Sequence, residues 1–166
     1  MMNAFEELEN KVRVVISGLF GSITASFSVA LGVSVLTSGR WTIVLSGVIV
    51  GVAGSLANAA SPFVSRSNFL RPNISLKSMM KQSASSFFVT FVIIFLPIVS
   101  YLLMESIGVA RITSLITGLV MLFIFGVHRA EVEGRANPIS HAFGMVFFGM
   151  ASAFVAFVVA KYYILQ

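Results

Sequence analysis

Ser22, Ser26 and Asn58 are polar side chains in apolar surroundings, and they are the candidate residues for a transport pathway. A hydroxyl offers one donor and two lone pairs, and a carboxamide offers two donors and an accepting oxygen, so the three could line a neutral route for a solute. They could equally do no more than hold helices together. Serine hides its hydroxyl on the carbonyl one turn earlier at little cost, whereas a carboxamide needs a partner across a helix interface or in a wet cavity. Asn58 is therefore either an interhelical hydrogen bond or a pathway residue.

His128, Glu131, Glu133 and His141 form a second constellation. Imidazole and carboxylate together can bind zinc, iron or manganese, and a three-residue step puts His128 and Glu131 on one side of a helix. The four follow no metal-site template, and a solvated loop between two helices accounts for them as well. All six acidic residues are glutamates, at 6, 7, 9, 105, 131 and 133, and cysteine is absent. Thiolate ligands and a carboxylate deep within an apolar run are both excluded. The eight methionines, Met145 and Met150 among them, read as apolar filler and not as copper ligands. No nucleophile with a base partner and no phosphate-cradling glycine loop occurs, so neither an enzyme nor a cofactor is expected.

The elements that must position these residues follow from composition. With 57% hydrophobic and 10% charged residues and a mean hydropathy of +0.97, the chain lies far outside soluble globular composition. Apolar stretches of about 20 residues cross a hydrocarbon core as helices. Five such stretches occur, at about 12–36, 41–64, 85–104, 110–127 and 139–160, after an amino-terminal segment 1–11. The run from Phe87 to Leu96 is almost wholly apolar on every face, unlike the alternating strands of a barrel. The expected fold is all-α: an integral, multi-pass membrane protein of five transmembrane helices in one domain, residues 1–166, in the cell membrane if the source is prokaryotic. The first span reads as a retained helix, because it is long for a signal peptide and follows Glu6, Glu7 and Glu9.

Basic residues divide unevenly between the two sides of this arrangement. Lys11, Arg13, Arg66, Arg71, Lys77, Lys81, Arg129 and Arg135 fall on one side, against Arg40, Arg111 and Lys161 on the other, which predicts a cytoplasmic amino terminus. The net charge of +5 then reflects topology and attraction to the lipid bilayer, with no nucleic-acid partner expected. Phe5, Leu8 and Val12 have helical spacing and read as an interfacial element. In the longest loop, Ser65 to Ala84, residues Leu70, Ile74, Lys77, Met80 and Lys81 fit either a short amphipathic interfacial helix or a solvated basic connector.

Small residues recur at steps of three and four on the first two helices: Gly21, Ala25, Ser28 and Gly32, then Gly47, Gly51, Gly54, Asn58 and Ser61. Such seams let helix backbones approach closely in lipid, where no hydrophobic effect drives association. The expected contact is a seam between helices one and two, bordered by the candidate pathway residues.

The order of these features extends along the chain. Helix one carries Gly18-Leu19-Phe20-Gly21-Ser22 and closes on Gly32-Val33, and helix two runs from Gly47 through Gly54-Ser55-Leu56-Ala57-Asn58 to Ser61-Pro62. Leu96-Pro97 marks a turn region in helix three, Phe125-Gly126 closes helix four, and Phe148-Gly149-Met150-Ala151-Ser152-Ala153 lies in helix five. Over about residues 14 to 164 this resembles the vacuolar iron transporter family. The resemblance implies a homodimer of five-helix subunits that moves ferrous iron or manganese out of the cytosol, generally in exchange for protons. It also implies ligands that are missing here. The family's aspartate in helix one falls on Gly21, its methionine in helix two on Asn58, and the glutamate four residues later on Pro62. Its glutamate-rich cytoplasmic domain has no counterpart in Ser65 to Ala84. The expected function is a divalent-cation transporter with an altered, uncharged pathway between helices one and two. The alternative is a nontransporting membrane protein or subunit that keeps the fold.

Overall fold

The computed structural model describes the backbone at residues 4–68 and 76–166, and side chains at 19–60, 63, 76, 77, 79–81 and 83–166. Five helices follow one another: α1 (Ala4–Leu36), α2 (Arg40–Asn68), α3 (Leu76–Leu103), α4 (Ile107–Val132) and α5 (Pro138–Ile164). Each contains a stretch long and apolar enough to cross a membrane, and no strand occurs among the described residues.

Most of the helices run past the apolar stretches that announce them. α1 has 33 residues, about 50 Å at 1.5 Å per residue, against a hydrocarbon core of about 30 Å. Continuing the helix keeps each new amide and carbonyl paired, whether or not the side chains are still in lipid. Lys77, Met80 and Lys81 therefore belong to the first turns of α3 and not to a separate interfacial helix. His128 and Glu131 lie within α4 and not in a loop. Pro97 sits inside α3, which continues helically past it to Leu103, and Gly126 lies inside α4 without closing it. The side chains of Phe5, Leu8, Val12, Leu70 and Ile74 lie outside the described residues.

α1 is the central helix and touches all four others. Of its span Leu19–Leu36, 56% is buried, against 22% of the spans in α4 and α5. Leu19, Ile23 and Phe27 meet Ile43 of α2, Ile94, Ile98 and Tyr101 of α3, Leu122 of α4 and Ala153 of α5 in one core. The outer surface is apolar as well, with Ile112, Ile116, Val120 and Ile124 exposed on α4 and Phe143, Phe147 and Phe154 on α5. Trp41, Tyr162 and Tyr163 are exposed where α2 begins and α5 ends. Amphipathic rings at that level mark a membrane–water interface.

Polar contacts fasten both ends of the bundle. Arg40 donates through Nη2 to the carbonyl of Glu105. Arg111, at the start of α4, donates from Nε to Ser34 Oγ at 2.9 Å and from Nη2 to the Ser34 carbonyl. Ser34 Oγ passes the chain on to the Leu31 carbonyl at 2.6 Å. A cation is thereby seated on the Ser34 carbonyl in the last turn of α1, which has no donor within its own helix. At the opposite end Gly134, with φ of 65°, closes α4. Its left-handed backbone lets the Arg135 amide reach the Ala130 carbonyl at 2.9 Å, a Schellman closure that turns Arg135 back over Glu133.

Candidate functional site

The glycines of α2 wedge that helix between α1 and α3. A Cβ at Gly47 would stand 2.8 Å from Ile98 Cδ1, at Gly51 2.6 Å from Ile94 Cγ2, and at Gly54 2.8 Å from Ser22 Oγ. The stripe of α1 that faces them is Ser22, Ser26 and Ala30, not the one expected. Gly21 and Ala25 are exposed, and nothing lies within 4 Å of a Cβ placed on Gly21. Ser28 and Gly32 turn toward α5 instead. Ser28 Oγ donates to Ser152 Oγ at 3.1 Å, and a Cβ on Gly32 would lie 3.2 Å from the Ala156 carbonyl oxygen. Adjacent residues on a helix point about 100° apart, so the two stripes serve different neighbours of the central helix. The side chain of Ser61 lies outside the described residues.

The three candidate pathway residues fall on these inner contacts. Ser26 Oγ donates to the Gly47 carbonyl at 2.9 Å in a buried bond between α1 and α2. Ser22 is buried beside Gly54. Asn58 Nδ2 donates to Thr90 Oγ1 at 3.1 Å, linking α2 to α3 in the interior. Ser55, Ser86 and Thr90 are buried as well, with Ser55 Oγ bonded back to the Gly51 carbonyl at 2.8 Å. Ser86 and Thr90 escape a reading of the sequence because they sit among Phe87, Phe88 and Phe91. Their four-residue step, which sets both on one face, is the signal that could have found them. Among the described residues every side-chain ligand in this interior is neutral. Hydroxyl, carboxamide and carbonyl oxygens are hard ligands that can replace part of a cation's water shell, but without a carboxylate they hold a divalent ion weakly.

The second constellation does not assemble into a ligand set. Glu133 takes Arg129 Nε on Oε1 at 2.7 Å and Arg135 Nε on Oε2 at 2.7 Å. Arg135 Nη1 lies 3.3 Å from His141 Nδ1. His128 Nδ1 and Glu131 Oε2 are 3.9 Å apart on exposed side chains. Among the described residues no three metal-ligating acidic, histidine or cysteine side chains gather. A metal at Glu133 would have to displace both guanidinium groups.

Hydrogen bonds from Arg129 and then Arg135 hold the Glu133 carboxyl down from 4.5 to about 2. A carboxyl with a lowered folded-state pKa stabilises the fold above its unfolded value and loses that contribution as pH falls toward the folded one. Thermal stability in detergent is therefore expected to decline as pH drops from 4.5 to about 2. Glu133→Gln should flatten that decline and, because Arg135 is half exposed, cost no more than about 1 kcal/mol at neutral pH. An equally steep decline in the variant would assign the pH dependence to other groups.

Residues 67–161 match the family model of the VIT family. The chain belongs to the VIT family. No curated protein matches it. VIT proteins are membrane transporters of metal ions and not enzymes, so the five apolar helices make this a multi-pass integral membrane protein. The matched segment takes in the tip of α2 and then α3, α4 and most of α5. α1 and nearly all of α2 stand outside it, and these two helices carry Ser22, Ser26 and Asn58. They also carry Gly21 and Pro62, two of the places where the resemblance to the VIT family would put a carboxylate.

Proposed function

We propose that this VIT protein moves a divalent cation, ferrous iron or manganese, across the membrane along an uncharged path between α1 and α2, with Ser22, Ser26 and Asn58 as its lining. The observation that carries this reading is the buried row of hydroxyl and carboxamide groups on the facing sides of α1, α2 and α3, in a family of metal-ion transporters. Neutral ligands bind a dication loosely enough for it to leave again. Without a carboxylate deep within the spans to carry a proton, flux should follow the metal gradient and ignore an imposed pH gradient. The charge asymmetry of the loops supports an amino terminus on the cytoplasmic side.

A homodimer belongs to the same proposal. Gly21 and Ala25 present small side chains on the exposed face of α1, where a second helix could approach closely. The chain has no native cysteine, so oxidation of an Ala25→Cys variant in membranes reports on this face alone. A disulfide-linked dimer is expected, and a chain that stays monomeric under oxidant would remove this face from the interface.

The test of transport is metal flux by the purified protein in liposomes, using iron, manganese and cobalt with internal pH recorded. Asn58→Ala is expected to lower flux about tenfold or more, in the range that losing a group near a metal site produces. Thr90→Val removes the same hydrogen bond but keeps the carboxamide, and should retain most of the flux. A second reading, a nontransporting protein that keeps the fold, draws on the direct bonds Ser26 to Gly47 and Asn58 to Thr90, which join the helices without an intervening solute. Absence of flux for every ion would favour that reading.

A further inference from the structure

We propose that the end of the bundle carrying the C-terminus of α1 holds a binding site for a phosphate oxyanion, supplied by a phospholipid headgroup or by inorganic phosphate. A cavity of about 270 Å³ opens there, lined by Ser34, Thr37 and Ser38 from α1 and its connection to α2, and by Ile107, Gly108 and Arg111 from α4.

Arg111 is the charged group in this wall. It is half-buried, and both of its hydrogen bonds go to Ser34. A guanidinium has five N–H donors, so about three remain after those two. No carboxylate pairs with Arg111 among the described residues. Glu105 is exposed nearby, and it is its carbonyl that is engaged, by Arg40. The flanking helix ends do not neutralise the arginine. The C-terminus of α1 contributes about half a negative charge and the N-terminus of α4 about half a positive one, which cancel and leave the guanidinium as the net charge. A partly buried cation without a counter-ion is stabilised most by an anion that can accept several of its donors at once, which is the geometry of phosphate.

The remaining wall suits the same ligand. Thr37 Oγ1 accepts from the Gly39 amide at 3.0 Å, which leaves its hydroxyl hydrogen to donate elsewhere. Gly108 gives the anion room, since a Cβ there would meet only Ser106 Oγ, at 3.6 Å. Trp41, Tyr162 and Tyr163 place this end of the bundle at the membrane–water interface, the level at which lipid phosphates lie.

Two variants test the site on the full-length chain. Arg111→Gln removes the cation. Gly108→Glu leaves Arg111 and Ser34 in the chain and places an internal carboxylate in the cavity beside the guanidinium. Retained ligand is read by native mass spectrometry after delipidation and addition of phosphatidylglycerol, of a galactolipid with the same acyl chains, or of inorganic phosphate. The wild type should retain one phosphatidylglycerol and not the galactolipid, with occupancy falling about tenfold or more in both variants, the worth of a charge-assisted hydrogen bond. Retention of inorganic phosphate in place of lipid, lost in the same variants, would make the free anion the ligand. Equal retention of phosphatidylglycerol by the wild type and Gly108→Glu, equal retention of the galactolipid, or no retention of lipid or phosphate would each overturn the assignment.

Discussion

Gly126→Ala is expected to destabilise the bundle by about 2 kcal/mol, although alanine is the better helix former by about 1 kcal/mol. The added Cβ would lie 2.7 Å from Ala142 Cα, 3.1 Å from Ala142 Cβ and 3.1 Å from Met145 Sδ. The nearest of these is backbone and cannot rotate away, so α4 and α5 must separate along their whole contact. Gly149 makes a useful contrast. Its Cβ would come within 2.3 Å of Leu122 Cδ1, the tip of a side chain that can turn aside, so Gly149→Ala should cost less despite the shorter distance. Gly21→Ala, with nothing within 4 Å, should cost nothing and gain up to about 1 kcal/mol from helix propensity. Thermal or denaturant unfolding of the three variants in detergent gives the order directly. A Gly126→Ala protein as stable as the Gly21→Ala protein would show that α4 and α5 are not packed at this distance.

The second large effect is expected at Arg111, where Arg111→Leu should cost about 2 to 3 kcal/mol. Its bonds to Ser34 are donated by a charged group, worth about 1.5 to 3 kcal/mol where they are shielded from water. The substitution strips a partner from Ser34 Oγ and from the Ser34 carbonyl together. Arg111→Lys should recover part of the loss, because an ammonium supplies the charge but cannot span both oxygens as a planar fork does. Unfolding of wild type, Arg111→Lys and Arg111→Leu should therefore rank in that order. A lysine variant as unstable as the leucine variant would mean that fork geometry, and not charge, holds α4 to α1.

Much of the scaffold was legible in the amino-acid order, and the reason is the solvent. Inside a bilayer a backbone must satisfy its own hydrogen bonds, so a long apolar run has essentially one conformation open to it. The five runs became α1 to α5, with errors confined to the ends. There the polar flanks at Leu76–Lys81 and His128–Val132 stayed helical, because apolar length does not report where helical hydrogen bonding stops. The role of Asn58 was half legible. Its need for a partner follows from its chemistry, but Thr90 as that partner lay within a phenylalanine-rich run whose mean character is apolar. The glycine contact between α4 and α5 was missed because Gly126 stands in a four-residue row with Ala110, Ser114, Gly118, Leu122 and Ala130 that looks unremarkable when α4 is read alone.

The five apolar runs determined that this chain is a five-helix membrane protein with no carboxylate deep within its spans, and the order of its small residues pointed to its family. Only the tertiary structure decided which stripe of α1 meets which neighbour. Two stripes of small and polar residues, Gly21–Ala25–Ser28–Gly32 and Ser22–Ser26–Ala30, are both compatible with close packing. A rotation of one residue, about 100°, exchanges them. Because α1 stands at the centre, both are used: the second stripe faces α2, the lower half of the first faces α5, and Gly21 and Ala25 are left outside. That choice depends on where α3, α4 and α5 lie, and no periodicity within α1 contains it.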